Sequence, residues 1–499
     1  MLRSIGLIAR KVRPNVRKYH CDHWENNVLL RTDVYKMGHC EQYVPHCENV
    51  YSYLIARSTK TYDHAVFFGL QYYLKKYLSQ GITKQMAEEF LDARFRILGS
   101  HSKEVSGKIR ALGNLGYFPL RIKAVKEGSV VPNKNVLMTI TNTIPEFYWT
   151  VGFVESLLLK VWYTTTVATC SFQYRKAVDK YFSETVDKDQ YYLKPFQVHD
   201  FGYRGDSSEE GAGLSGMAHA LSFTGSDNVM TLPFANEYYY GRADNKPVIL
   251  SVPASEHSVM CSFGQDNEIG AFRHMLAKYP SGIVSIVSDT YDIWRVLTEY
   301  AEILKEDILK RDGKVVFRPD SGNPEFIICG DPGAMPGTNA FKGAIRLLDE
   351  KFGSKKNKLG YKVLNPKVGL IYGDGMHLSR YVAVLQRLKE MGYAASNLTI
   401  GVGGVLRYHN RDTMSFAIKA TNVIVNGKAK AIKKDPITDP GKKSHTGLLM
   451  LEKKDFIWRT HDNVSTEVEK TGELIPVFEN GKLLYEQSIH NIRERIDKF

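Results

Sequence analysis

The chain has 499 residues, 43% of them hydrophobic and 24% charged, with a formal net charge of +13. That length carries a large core, in two domains or one elaborated barrel, and the balance is that of a soluble globular protein. No charge-free apolar run reaches about 18 residues, which excludes a membrane-spanning helix.

Residues 1–20 hold Arg3, Arg10, Lys11, Arg13, Arg17 and Lys18 and no acid. We read 1–24 as a basic leader without fixed structure, either an organellar targeting segment or a plain basic extension. Residues 25–185 read as an α+β domain. Val50–Ala56, Leu120–Val125 and Asn135–Thr141 have strand character, and 68–79 and 84–98 have helical spacing. The interval 146–185 reads as mostly helical, broken at Thr164–Thr166 where three β-branched residues disfavour continuation. Val131-Pro-Asn-Lys reads as a turn.

From Phe196 the rhythm becomes strand, polar loop, helix, and 186–415 reads as an α/β barrel. Predicted strands are 196–199, 247–252, 283–287, 314–317, 368–371 and 398–401. Asp289 and Asp320 stand 31 residues apart, about one βα unit. Residues 416–499 return to turn-rich, strand-like sequence that is expected to pack with the N-terminal domain. The fold class is thus α/β: an irregular barrel beside an α+β domain formed by both chain ends.

Six cysteines, at 21, 40, 47, 170, 261 and 329, lack metal-ligand spacing and fit reduced thiols in a cytoplasmic setting. A second basic concentration comprises Lys428, Lys430, Lys433, Lys434, Lys442 and Lys443, against Asp435 and Asp439. It reads either as a nucleic-acid surface or as a site for small polyanions with a solvated face. No nucleic-acid-binding motif accompanies the lysines, so no nucleic-acid partner is expected.

Each predicted barrel strand ends in a cluster that carries chemistry: His199-Asp-Phe-Gly-Tyr-Arg-Gly, Ser251–Ser258, Ser288–Asp292, Arg318-Pro-Asp-Ser-Gly, Gly373-Asp-Gly and Gly401-Val-Gly-Gly. Barrels build active sites at such ends. Arginine forks bind phosphate, glycines admit anions to the backbone, and aspartates hold sugar hydroxyls or Mg²⁺. Arg204 and Arg318 read as anion forks, with a structural ion pair as the plain alternative. Asp320 and Asp374 are either ligands or turn-shaping groups. His257 is either a nucleophile or proton shuttle, or merely a helix start. Asp227 lies off the predicted strand ends and reads, on propensity, as a helix cap.

Together these motifs, with Arg31-Thr-Asp-Val-Tyr-Lys, Phe68-Gly-Leu-Gln-Tyr, Asn410-Arg-Asp and Lys434-Asp-Pro, resemble the nicotinamide phosphoribosyltransferase family of type II phosphoribosyltransferases. The resemblance covers nearly everything after residue 27. It implies transfer of phosphoribosyl from phosphoribosyl pyrophosphate to nicotinamide by a homodimer with shared sites, using Mg²⁺ and ATP. By the same resemblance, Phe201 stacks on the base. Tyr35 arrives from the opposite subunit with Asp33 beside it, and Asp227 takes the carboxamide. Arg204, Arg318, Pro319 and Asp320 contact pyridine, pyrophosphate and ribose, while Gly373, Asp374, Gly403 and Gly404 cradle ribose and 5′-phosphate. Arg57, Arg411, Lys419 and Lys434 are the pyrophosphate-side cations. His257 is phosphorylated by ATP, with Asp289 and Asp320 in the catalytic set and as Mg²⁺ candidates.

Rival readings are nicotinate phosphoribosyltransferase, against which Asp227 argues, and an aldolase-like barrel, for which no strand-end lysine exists. A basic nucleic-acid-binding protein is the remote alternative from another class.

Overall fold

The computed structural model describes residues 23–100, 102–242 and 245–499. Residues 1–22 of the expected leader at 1–24 lie outside the described residues. Trp24, counted with it, stands in a short 3-10 turn, His23–Asn26.

Strands from both chain ends make one seven-stranded antiparallel sheet. Its order is Lys428–Ala431, Phe416–Val425, Cys47–Ala56, Val136–Asn142, Leu120–Ala124, Ile475–Glu479, Lys482–Leu483. Cys47–Ala56 is buried along almost its whole length, as a central strand covered on both faces must be. Helix Lys84–Leu98 begins where the Thr83 side chain accepts from the Met86 amide and stops at Gly99, in the left-handed region. Its buried Ala87, Phe90, Leu91 and Arg94 follow helical spacing toward the core.

Five strands form a parallel sheet in the order Val198–Asp200, Leu398–Val402, Val368–Tyr372, Asp312–Arg318, Ser281–Val287. Single parallel bridges Asp200↔Ser226, Gly225↔Leu250 and Ala254↔Ser285 carry the pairing from the first strand round to the last. The result is an irregular barrel in which two staves are reduced to isolated contacts. All five strands run the same way, so Phe201, Gly403, Gly373, Pro319 and Ser288 open their loops at one end.

Three elements differ from expectation. Residues 247–252 form no strand, only the Leu250 bridge, because Pro247 and Pro253 remove backbone donors on either side. Thr164–Thr166 do not break a helix but lie inside Val161–Thr185. The Thr164 and Thr165 hydroxyls donate to the Phe68 carbonyl at 2.6 and 3.1 Å, and Thr166 donates back to Trp162 at 2.6 Å. These bonds compensate for the poor propensity of the run. The interruptions fall earlier, between Thr150–Phe153, Glu155–Leu158 and Val161. The Val131 turn begins two residues late, since Val130–Pro132 is a short strand pairing with His64–Val66.

Candidate active site

A continuous line of contacts runs round the barrel mouth. His257 opens the short helix His257–Cys261, and its Nε2 lies 3.3 Å from Asp289 Oδ1. The Asp289 side chain is only 3% exposed and its Oδ1 has no hydrogen-bond partner among the described residues. The other carboxylate oxygen, Oδ2, accepts from the Asp320 amide at 2.8 Å and the Ser321 hydroxyl at 2.6 Å. Asp320 in turn accepts from Arg318 Nη2 at 3.2 Å, and Arg318 Cζ sits 5.0 Å from the centroid of the Phe201 ring. Pro319 between them is buried. Tyr372 donates to the carbonyls of Ser321 and Gly322 at 2.9 and 3.0 Å and so pins the Asp320 loop to the neighbouring strand.

The glycines admit close approach. A Cβ on Gly401 would fall 2.0 Å from the Phe201 ring, so this residue leaves the space that the ring occupies. Gly403 and Gly404 follow at the mouth, and Gly205 packs on Gly404, bringing the exposed Arg204 turn beside them. A Cβ on Gly373 would meet Asp320 Oδ1 at 2.6 Å, so the Gly373–Asp374 turn abuts the Asp320 carboxylate.

Asp227 is not a helix cap. It follows the bridging residue Ser226, its amide donates to the Asp200 carbonyl at 3.0 Å, and its exposed carboxylate accepts from the Ser251 hydroxyl. It therefore belongs to the mouth after all, on a stave too short to be read as a strand. His199, buried beneath it, is held below the usual histidine range by burial.

A second group lies on the antiparallel-sheet side. Asp33, which accepts from Ser156 Oγ, and the 63%-exposed Tyr35 line a cleft of about 930 Å³ with Arg411, Tyr163, Gly205, Asp206 and Arg407. Arg57 donates to the Ser415 carbonyl at 3.1 Å. Burial, with the nearby charges of Arg57 and Lys434, holds the Lys419 ammonium below its usual range, against the pull of Glu155. Arg57, Lys419 and Lys434 thus share one electrostatic neighbourhood. Among the described residues, no hydrogen bond or ion pair joins this group to the His257–Asp289–Asp320–Arg318 line.

One participant escaped the sequence reading. Arg407 is buried, with Nη2 donating to Asp200 at 2.8 Å, Nε donating to Asp206 at 2.8 Å, and Nη1 2.7 Å from the second Asp200 oxygen. Burial opposes its charge, yet Asp200 and Asp206 raise its affinity for the proton. Burial would likewise raise the Asp200 carboxyl, but the Arg407 guanidinium keeps it below the usual carboxylate range. Nothing in the Arg407-Tyr-His stretch marks it in sequence, because its partners are two hundred residues earlier.

A mouth with arginine, carboxylates and glycines at successive parallel strand ends suits a phosphate-bearing sugar, the kind of substrate a phosphoribosyltransferase takes. The chain belongs to the nicotinate phosphoribosyltransferase family, whose sequence profile matches residues 196–473, while residues 27–105 match the nicotinamide phosphoribosyltransferase N-terminal domain. It is 42% identical over 495 residues to the nicotinamide phosphoribosyltransferase of Acinetobacter baylyi, covering 94% of this chain and 97% of that one. It is 38% identical over 490 residues to the nicotinamide phosphoribosyltransferase of Xanthomonas campestris pv. campestris, covering 95% and 99%. The crystal structure of nicotinate-nucleotide pyrophosphorylase from Pyrococcus furiosus shares the fold, with a TM-score of 0.58 at 16% identity over 97% of both chains.

Proposed function

We propose that the chain transfers the 5-phosphoribosyl group of phosphoribosyl pyrophosphate to nicotinamide, yielding nicotinamide mononucleotide and pyrophosphate for NAD salvage. The observation that carries this is the unbroken line from His257 through Asp289, Asp320 and Arg318 to Phe201 around one mouth. Names borne by the two bacterial relatives support the choice of base.

The pyridine nitrogen is already an unprotonated nucleophile at neutral pH, so the site needs orientation more than a general base. Phe201 offers a flat face on which to stack the ring, and Arg318 faces it with a cation that suits a departing polyanion. Asp227, oriented by Ser251, accepts from a carboxamide NH₂ and repels a substrate carboxylate. That repulsion favours nicotinamide over nicotinate.

The donor set fits Mg²⁺ only in part. No group of three or more His, Cys, Asp or Glu suited to a metal exists among the described residues. Asp289 Oδ1, which makes no hydrogen bond but lies 3.3 Å from His257 Nε2, and the adjacent Asp320 carboxylate would supply one or two oxygens, leaving the rest to substrate phosphates and water, as Mg²⁺ prefers. When bound there, the ion neutralises charge building on the pyrophosphate. ATP is read as a co-substrate. Asp289 faces His257 Nε2, which leaves Nδ1 as the lone-pair nucleophile for the γ-phosphorus, with ADP leaving.

The exposed Tyr35 and the separate Arg57–Lys419–Lys434 group support a homodimer in which one chain's cations and tyrosine face its partner's barrel mouth. No helix among the described residues is long and apolar enough to cross a membrane, and the five described cysteines are free, which supports a cytoplasmic setting.

Incubation with nicotinamide, phosphoribosyl pyrophosphate and Mg²⁺, with and without ATP, tests the reading by chromatography of the products. We expect mononucleotide in both arms, more with ATP, and none after chelation until Mg²⁺ is restored. Absence of mononucleotide in every arm overturns it.

A further inference from the structure

We infer that Arg407 is a positioning residue that fixes the base-stacking loop relative to the 5′-phosphate cradle; the kinetic half of this claim rests on the function proposed above. Asp200 closes the Val198–Asp200 strand and Asp206 follows the Tyr203–Gly205 turn, so the two carboxylates bracket the loop that carries Phe201 and Arg204. Both are held by the one guanidinium, and all three side chains are at most 2% exposed. The loop has little else to hold it. Its own backbone bonds are Phe201 to the Val402 carbonyl at 3.0 Å, Gly205 to the Gly202 carbonyl at 2.8 Å and a long one from Asp206 to the Tyr203 carbonyl at 3.4 Å, and Tyr203, Arg204 and Gly205 are exposed.

The guanidinium is also the surface on which the loop lies. A Cβ on Gly202 would fall 2.3 Å from Arg407 Nη1, so the backbone there passes directly against the fork. The Gly202 amide donates to Asp200 at 2.8 Å, closing the contact from the other side. Arg407 itself leaves the Gly404–Leu406 turn, with its amide bonded to the Gly404 carbonyl at 2.8 Å. One side chain therefore ties the Phe201 loop to the Gly403–Gly404 backbone. Tyr163 and Ser215 add hydroxyl donors to Asp206, and Asn228 adds an amide to Asp200. None of these spans both carboxylates.

Lysine keeps the charge but has no fork with which to hold two carboxylates at once. In Arg407→Lys we expect the KM for the pyridine base to rise about tenfold or more, with kcat falling less, since misplacement of a positioning loop costs on this order. Amides 201–206 should exchange hydrogen at least about tenfold faster, because the loop opens locally while the core does not. Asp206→Asn removes the charge facing Arg407 and turns into a donor one of the two acceptor oxygens, of which one serves Tyr163 and the other Ser215 and Arg407. It should shift both readouts in the same direction by a smaller factor, and it decides the matter if Arg407→Lys does not fold.

A purely structural arginine would lower Tm and leave base KM and loop exchange alone. Exchange at 201–206 within twofold of the unsubstituted protein, or a base KM within twofold, overturns the inference. If the unsubstituted protein makes no mononucleotide, the proposed function fails, and the exchange experiment alone decides whether Arg407 holds the loop.

Discussion

The guanidinium carbon of Arg318 stands 5.0 Å from the centroid of the Phe201 ring, while the same side chain reaches Asp320 at 3.2 Å. One planar cation thus borders both the aromatic seat and the carboxylate turn. Arg318→Lys keeps the charge and loses the plane. We expect kcat/KM for the base to fall about 10²-fold with Tm little changed, checked by steady-state kinetics and calorimetry.

Asp227 is exposed, shaped by the Ser251 hydroxyl, and carried on the stave that bridges to Asp200. Asp227→Asn removes the like-charge penalty against a carboxylate substrate. The nicotinamide-to-nicotinate ratio of kcat/KM should fall at least about tenfold, consistent with a repulsion of several kcal/mol. Competition between the two bases measures it, and an unchanged ratio sinks the assignment.

His257 is 48% exposed with Nε2 against Asp289. His257→Ala should abolish stimulation by ATP and leave slow basal transfer, because the groups proposed to stack the base and bind phosphate are untouched. Radiolabelled ATP should no longer mark the protein; undiminished labelling would contradict the phosphohistidine.

Tyr35 is expected to act on the partner's site and Phe201 on its own. Tyr35→Ala and Phe201→Ala should each be nearly inactive alone. Mixed after subunit exchange, they should recover about a quarter of full activity, since half of the dimers then hold one intact site of two. No recovery in verified mixed dimers would place both residues in one chain's site.

His219 is fully buried, bonded through its ring to Ser171 and the Val198 carbonyl at 3.0 and 3.1 Å. Burial pushes its pKa down to about 4. The unfolded histidine takes its proton near pH 6.5, so the full contribution is present above that pH and is lost as pH falls from there toward 4. The loss approaches ~3 kcal/mol and then levels off. Chemical denaturation across that range checks it, and His219→Asn should flatten the slope between pH 6.5 and 4.

Much of the barrel was legible because buried parallel strands announce themselves as short apolar runs ending in polar clusters. Residues 314–317 were expected and Asp312–Arg318 is found. Of the two closing staves, the one at 247–252 is expected as a strand but keeps only the Leu250 bridge, and the one at Ser226 is not legible, since a single bridge leaves no periodicity to read. That is also why Asp227 looked detached from the mouth. The threonine run at 164–166 misled for a different reason: its propensity is poor, but the hydroxyl bonds to Phe68 and Trp162 exist only in the folded context. Arg407 stayed hidden because a buried fork is defined by partners brought from elsewhere in the chain, not by its neighbours in sequence.

The strand Cys47–Ala56 has Val136–Asn142 on one flank and Phe416–Val425 on the other. During synthesis its first neighbour emerges early and its second only after every stave of the barrel has left the ribosome. One long hydrogen-bonding edge of the nascent chain therefore waits uncovered while the barrel folds, as does the edge of Leu120–Ala124 that awaits Ile475–Glu479, and both are open to wrong partners meanwhile. Loss of the chain beyond residue 416 would strip that strand of a flank rather than trim a tail.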